Sequence, residues 1–170
     1  MKGFEQREGI DFNEVFSPVV HHTSIQVMLA FVALFDLELY QLDVKIAFLQ
    51  EDLDEEIYMT QPQGFFAPGQ EHLVCHLQKY LYGLKQAPRQ WYKRFDSFML
   101  AHGYSRSNYD HCIYLKQFPN GSFVYLLLYV DDMLIASHDK SLIDELKAQL
   151  SHEFDIKGLR PAKKIWGRGA

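Results

Sequence analysis

Two adjacent aspartates, Asp131 and Asp132, break an apolar run that reaches from Phe123 to Ala136, and nothing else in the chain restricts its fold as tightly. Ionised carboxylates among packed apolar side chains are costly to desolvate unless hydrogen bonds or a cation offset their charge. A tight hairpin with both aspartates at its tip meets that condition. The flanking segments 123–130 and 133–136 stay buried as strands, and the carboxylates emerge at the end of a rigid sheet. Hard oxygen ligands of this kind suit Mg²⁺. An ordinary polar turn is the competing account of the same residues.

A two-metal site for phosphoryl chemistry holds its cations about 3.5–4 Å apart and needs a further carboxylate to bridge and balance them. Asp43 is the candidate. Residues 37–45 alternate polar and apolar side chains with the two-residue period of a strand, and Asp43 lies near its end. Neighbouring strands of one sheet would bring Asp43 beside Asp131; a plain strand-end aspartate is the alternative.

Periodicity and punctuation predict the other elements. Residues 1–20 are polar and turn-rich, whereas residues 23–36 are apolar on nearly every turn and predict a largely buried helix capped by Thr23 or Ser24. Segments 57–60 and 73–77 flank a loop containing Pro62, Gly64, Pro68 and Gly69, and they predict a hairpin. Pro88 opens and Gly103 closes an amphipathic helix carrying Trp91, Phe95, Phe98 and Met99. Residues 112–116 and 122–129 are joined through Asn120-Gly121, a hairpin-turn signal. Leu142, Leu146 and Leu150 mark a last helix that fades into a tail rich in Gly, Arg and Lys. The order predicts an α+β class, an antiparallel sheet with helices packed on one face.

With 170 residues, 48% of them hydrophobic, the chain has the size and core of one domain. It holds neither the roughly 20 consecutive apolar residues of a membrane span nor the apolar stretch of a secretion signal, so no membrane partner is expected. Cys75 and Cys112 read as small buried thiols, not a disulfide framework. The net charge of −5 disfavours nucleic acid as an average, but residues 79–94 gather Lys79, Lys85, Arg89, Lys93 and Arg94 among Tyr80, Tyr82, Trp91 and Tyr92. Cations interleaved with aromatics suit a phosphate backbone and stacked bases, and a solvated helix face over a core stripe is the alternative. The eight histidines show no convincing ligand spacing, His72, Cys75 and His76 lack the second pair of a structural zinc site, and residues 51–56 read as a solvated acidic turn.

The box Tyr129-Val130-Asp131-Asp132 in its apolar setting resembles that of copia-type retrotransposon reverse transcriptases. Other stretches resemble the same family in the same order: Phe16-Ser17-Pro18-Val19-Val20, Gln41-Leu42-Asp43-Val44-Lys45 with Ala47-Phe48-Leu49, and Glu56-Ile57-Tyr58-Met59 with Gln61-Pro62 and Gly64-Phe65. They continue with Leu81-Tyr82-Gly83-Leu84-Lys85-Gln86-Ala87-Pro88 running into Arg89-Gln90-Trp91-Tyr92, and end with Ala162-Lys163-Lys164-Ile165. So many ordered blocks across nearly the whole chain are far more specific than one tetrapeptide.

The resemblance implies a polymerase palm-type sheet with partial fingers: one fingers/palm domain over 1–170, fingers in about 1–40 and 57–90 and palm in the remainder. It implies Asp43, Asp131 and Asp132 as catalytic carboxylates around two Mg²⁺ ions, with Mn²⁺ a substitute. Asp43 and Asp131 would be the first bridges, and the Val44 carbonyl would complete one metal's shell. By the same similarity Phe48 would lie against the incoming sugar and exclude a 2′-hydroxyl, Tyr82 and Gly83 would sit under nucleotide and template, and Val130 would touch the primer terminus. Read without the family, Phe48 is a core phenylalanine and Tyr82 a loop contact. The implied partners are an RNA or DNA template with primer, dNTPs, and the RNase H and integrase domains of a full Pol polyprotein. The implied location is intracellular, in a cytoplasmic virus-like particle and in the nucleus.

The match departs from the family in places. The basic N-terminal fingers strand, the thumb and RNase H have no counterpart, residues 166–170 leave the pattern, and Ile46 stands where threonine is usual. A truncated or excerpted element is expected on that basis. An inert remnant that at most binds nucleic acid is the competing function, and a nucleotide cyclase, which also uses paired aspartates on a palm-like sheet, is a third.

Overall fold

The computed structural model describes residues 6, 7, 9, 12, 14–45, 47–49, 53, 56–65, 69–70, 72–161, 164–165 and 168–169. The chain divides into two compact units, one made of Met1–Ser17 and Phe48–Trp91, the other of Pro18–Ala47 and Tyr92–Ala170.

The second unit is built on a six-stranded sheet. Its elements are α1 (His22–Leu34), β1 (Glu38–Val44), the part of α2 (Ala87–Ala101) that follows Trp91, β4 (Ser105–Arg106), β5 (Ile113–Gln117), β6 (Phe123–Tyr129), β7 (Asp132–Ser137), α3 (Lys140–Glu153) and β8 (Ile156–Pro161). The strands run in the order β4-β5-β6-β7-β1-β8, and every neighbouring pair is antiparallel. The short pair β9 (Lys164–Ile165) and β10 (Arg168–Gly169) stands apart from it. The α+β class and the antiparallel sheet follow the expectation. The tail does not: residues 156–161 form β8 on the outer edge of β1, because backbone groups left open by β1 offer a ladder that sequence punctuation at Gly158 and Pro161 conceals.

Register gives each sheet face its character. Tyr114, Leu126, Ile135 and Tyr40 form one row across β5, β6, β7 and β1, and all four are buried. Helices α2 and α3 cover that face: the Phe95 ring meets Tyr114 edge-on at 5.7 Å, and the Lys147 ammonium lies 3.3 Å from the Tyr40 ring centroid. Such aromatic pairs add about 0.5–1.5 kcal/mol beyond simple area burial.

The helices do not all share one face, as the element order suggested. Tyr125 alternates with Leu126 and so points the other way, and Phe31 of α1 meets it at 6.3 Å. Nor is α1 largely buried. Met28 is its buried residue, while Val27, Phe31, Leu34 and Phe35 remain exposed, because one sheet face covers one stripe of a helix that is apolar on all sides.

The N-terminus of α1 is capped from a distance, not by Thr23 or Ser24 as the sequence suggested. The buried Asp110 carboxylate accepts the His21 backbone N–H at 2.8 Å, the Ser24 hydroxyl at 2.6 Å and the Cys112 N–H at 3.0 Å. Burial alone would raise this carboxyl, yet these hydrogen bonds and the neighbouring His21 outweigh it and hold Asp110 below the usual carboxylate range.

In the first unit, β2 (Tyr58–Thr60) and β3 (Val74–His76) pair antiparallel as a hairpin, with Tyr58 opposite His76. Residues 81–84 form a turn in which Leu84 N–H donates to the Leu81 carbonyl at 3.1 Å and Gly83 has φ +95°, the type II geometry that favours glycine at this place. Cys75 is half-buried, not buried as expected, and both cysteines are free. No helix among the described residues is long and apolar enough to cross a membrane.

Candidate functional site

The β6–β7 hairpin closes on the pair Tyr129↔Asp132, so Val130 and Asp131 form its two-residue turn. Asp131 is therefore at the tip, whereas Asp132 is already the first residue of β7. Val130 has φ +58°, in the left-handed region. A positive φ at the first residue of a two-residue hairpin turn is ordinarily supplied by glycine, and a β-branched residue there is strained by about 1–3 kcal/mol. Strain of this kind tends to persist where surrounding structure and function both require it.

Asp43 lies directly opposite Asp132 across the β1–β7 ladder, so the two side chains share a face of the sheet. One step further on, the Val44 N–H donates to the Asp131 carbonyl at 3.0 Å. Backbone pairing thus gathers Asp43, Val44, Asp131 and Asp132 at one end of the sheet, with all three carboxylates half-buried. Like charges placed directly opposite destabilise a sheet unless something offsets them. The Gln41 side-chain amide donates to Asp132 Oδ1 at 3.3 Å. Gln41 was not singled out from the sequence, although its spacing of two from Asp43 puts both on one face and was the signal available.

Among the described residues, no group of three or more His, Cys, Asp or Glu side chains converges as a ready metal cage. The donor set itself fits a hard divalent cation: oxygen ligands, a like-charged pair in register, and partial burial.

Phe48 and Tyr82 meet in the first unit, with ring centroids 4.7 Å apart and nearly edge-to-face. Phe48 is buried and Tyr82 is 47% exposed, so one ring supports the other while the second presents a face to solvent. Gly83 follows in the type II turn described above.

The five basic residues separate into two kinds. Lys85 donates its backbone N–H to Gln6 Oε1 at 2.9 Å and its ammonium to the Gln6 carbonyl at 3.1 Å, and it also lies over the Phe12 ring. Arg89 donates to the Phe16 carbonyl at 3.0 Å and pairs with Glu14. Both tie the chain at Gln6 and Phe16 to the segment that carries them. Arg94 pairs with Glu153 at 3.0 Å, and Lys79 and Lys93 have exposed side chains. The positions Ile46, Glu51, Asp52, Asp54, Glu55, Ala162 and Lys163, singled out in the sequence, lie outside the described residues.

The family model described as reverse transcriptase (RNA-dependent DNA polymerase) matches residues 1–169. The retrovirus-related Pol polyprotein from transposon TNT 1-94 of Nicotiana tabacum is 59% identical over 98% of this chain, and the chain covers 13% of it. The corresponding polyprotein from transposon RE1 of Arabidopsis thaliana is 42% identical over 92% of this chain and 11% of its own length. The putative transposon Ty5-1 protein of Saccharomyces cerevisiae is 33% identical over 74% of this chain and 41% of its own length. The chain thus spans about an eighth of the two plant relatives, and no solved structure matches. A hairpin that presents Asp131 and Asp132 beside Asp43, and a family match over essentially its full length, make this chain a member of the reverse transcriptase family, in its copia-type retrotransposon branch.

Proposed function

We propose that this chain is the palm and partial fingers of a copia-type reverse transcriptase, and that its sheet end carries out metal-assisted transfer of a nucleotide from a dNTP to a primer 3′-hydroxyl. The observation that carries the reading is the register of β1 against β7, which pairs Asp43 with Asp132 and ties Val44 to Asp131. In this reading residues 1–40 and 57–90, approximately, are fingers and the remainder, with the carboxylates, is palm.

Asp43, Asp131 and Asp132, with the Val44 carbonyl, would hold two Mg²⁺ ions, or Mn²⁺ in their place. When bound, such ions lower the pKa of an attacking hydroxyl and neutralise a pyrophosphate leaving group. The protein's own contribution is placement. The carboxylates sit on a backbone that the ladder fixes; by the family resemblance Val130 would touch the primer terminus, and the Phe48 ring would lie against the incoming sugar and exclude a 2′-hydroxyl. Tyr82 offers its exposed ring to nucleotide or template, and Gly83 allows close approach of backbone. In this reading Lys79, Lys85, Arg89, Lys93 and Arg94 would meet phosphates, although Lys85, Arg89 and Arg94 also make contacts within the fold. Template-primer, dNTPs and the remaining Pol domains are the partners this reading implies, and a virus-like particle is the setting.

The test is primer extension by the chain on a heteropolymeric RNA template with Mg²⁺ or Mn²⁺. Asp131→Asn is expected to abolish incorporation, a loss of about 10³-fold or more, equivalent to roughly 4 kcal/mol in the transition state. Incorporation that survives this substitution contradicts the assignment. Salt-dependent primer-template binding without any turnover would instead favour the inert remnant.

A further inference from the structure

We propose that Gln41 is a positioning residue of the carboxylate site, one that orients Asp132 opposite Asp43 before any cation arrives; the proposal rests on the metal-assisted reading above. Gln41 stands in a row with Ile113, Leu127 and Leu134, in which Leu127 and Leu134 are fully buried, and β8 pairs along its other side. An amide beside such a row costs free energy that an apolar side chain would not, unless its polar atoms are paired. It is paired toward the next row, Tyr129, Asp132 and Asp43, where its Nε2 donates to Asp132 Oδ1 at 3.3 Å.

The chemistry of the donor supports the assignment. Asp132 faces another carboxylate across the ladder. A neutral N–H donor fixes one oxygen of Asp132 without adding a positive charge, and a lysine or arginine in that place would neutralise the pair and compete with a cation for it. Gln41 is also two residues from Asp43 on the same strand, so one rigid backbone sets both the carboxylate and the group that steers its neighbour. Partners of this kind change metal affinity by about 10–100-fold when removed.

The test is titration of Mn²⁺ into the full 170-residue chain, with free Mn²⁺ read by electron paramagnetic resonance and thermal melting followed with and without the ion. Gln41→Met keeps the length and loses the donor. It is expected to weaken Mn²⁺ binding about tenfold and to shrink the rise in Tm caused by Mn²⁺, while melting in chelator stays close to that of the unaltered chain. A merely structural glutamine would lower Tm equally in both conditions, and that pattern would overturn the proposal. Gln41→Asn, which keeps the amide but falls short of Asp132, is expected to behave as the Met variant does and serves if that variant does not fold. Affinity within twofold of the unaltered chain in the variants that fold, together with loss of binding in Asp43→Asn, would remove the role of Gln41 and leave the metal reading standing. Unchanged binding in Asp43→Asn would sink the metal reading itself, and this inference with it.

Discussion

In the unit built on the six-stranded sheet, position is a matter of register. Asp43 meets Asp132 because Leu39 meets Ala136 and Gln41 meets Leu134, each pair enforcing the next. In the other unit, longer loops are held by individual side chains. Gln6 Nε2 donates to the buried Gln86 Oε1 at 3.1 Å, Lys85 and Arg89 hold the carbonyls of Gln6 and Phe16, and the Ser17 hydroxyl donates to the Pro88 carbonyl at 3.2 Å. A ladder shares its strength over many backbone bonds, whereas a web of side chains loses a definite fraction with each substitution. Residues that must be exact are therefore best set on the sheet, and residues that frame a substrate can stand on the web.

That contrast can be broken at several points. Leu126→Ala, at the centre of the sheet, is expected to cost about 3–4 kcal/mol in denaturant unfolding, through lost burial and the cavity left behind. A smaller penalty would mean that the core is not packed as the rows imply. Asp110→Asn is expected to cost about 2 kcal/mol at pH 7, because an amide can accept on one side only while the carboxylate accepts on both. The Asp110 carboxyl lies below its usual value in the folded chain, so the stability it adds is fully present above about pH 4, its ordinary range. That stability is lost as pH falls through the lower folded value. The difference between Asp110→Asn and the unaltered chain should accordingly vanish on acidification; a gap that stays constant down to about pH 2 would contradict the linkage.

Gln86→Ala is expected to cost about 1–2 kcal/mol and to speed amide exchange around residues 6 and 84–89, leaving exchange in β6 and β7 unaltered. Equal acceleration in the sheet would erase the distinction between the two units. The smallest effect has the opposite sign. Val130→Gly removes a strained φ at the turn and adds backbone freedom to the unfolded chain, so a net gain of less than about 1 kcal/mol is expected, together with slower primer extension.

Much of this was legible in the sequence because the decisive signals are local. Alternation in 37–45, the Asn120-Gly121 turn and the Leu142, Leu146, Leu150 stripe fixed elements that the structure has within a few residues. The pairing of 57–60 with 73–77 followed from the turn formers between them. What escaped depends on distant partners. β8 exists because β1 has a second edge to satisfy, and nothing between residues 156 and 161 announces that. The cap of α1 comes from Asp110, far along the chain, so a search for a nearby Ser or Thr looked in the wrong place. The exposed side of α1 misled for another reason: composition tells how apolar a helix is, but not how much of it a neighbour will cover. That Lys85 and Arg89 hold the carbonyls of Gln6 and Phe16 was also out of reach, because a basic cluster has the same spelling whether or not its charges make such contacts.

The position of β8 has one more consequence. By pairing with Tyr40, Gln41, Asp43 and Val44 it turns the carboxylate-bearing strand into an inner one, and so seals a row of amides that would otherwise invite another chain. A version of this protein shortened to residue 155 would expose that seam, and association between copies, visible as growth of scattered light with concentration, is the behaviour to look for.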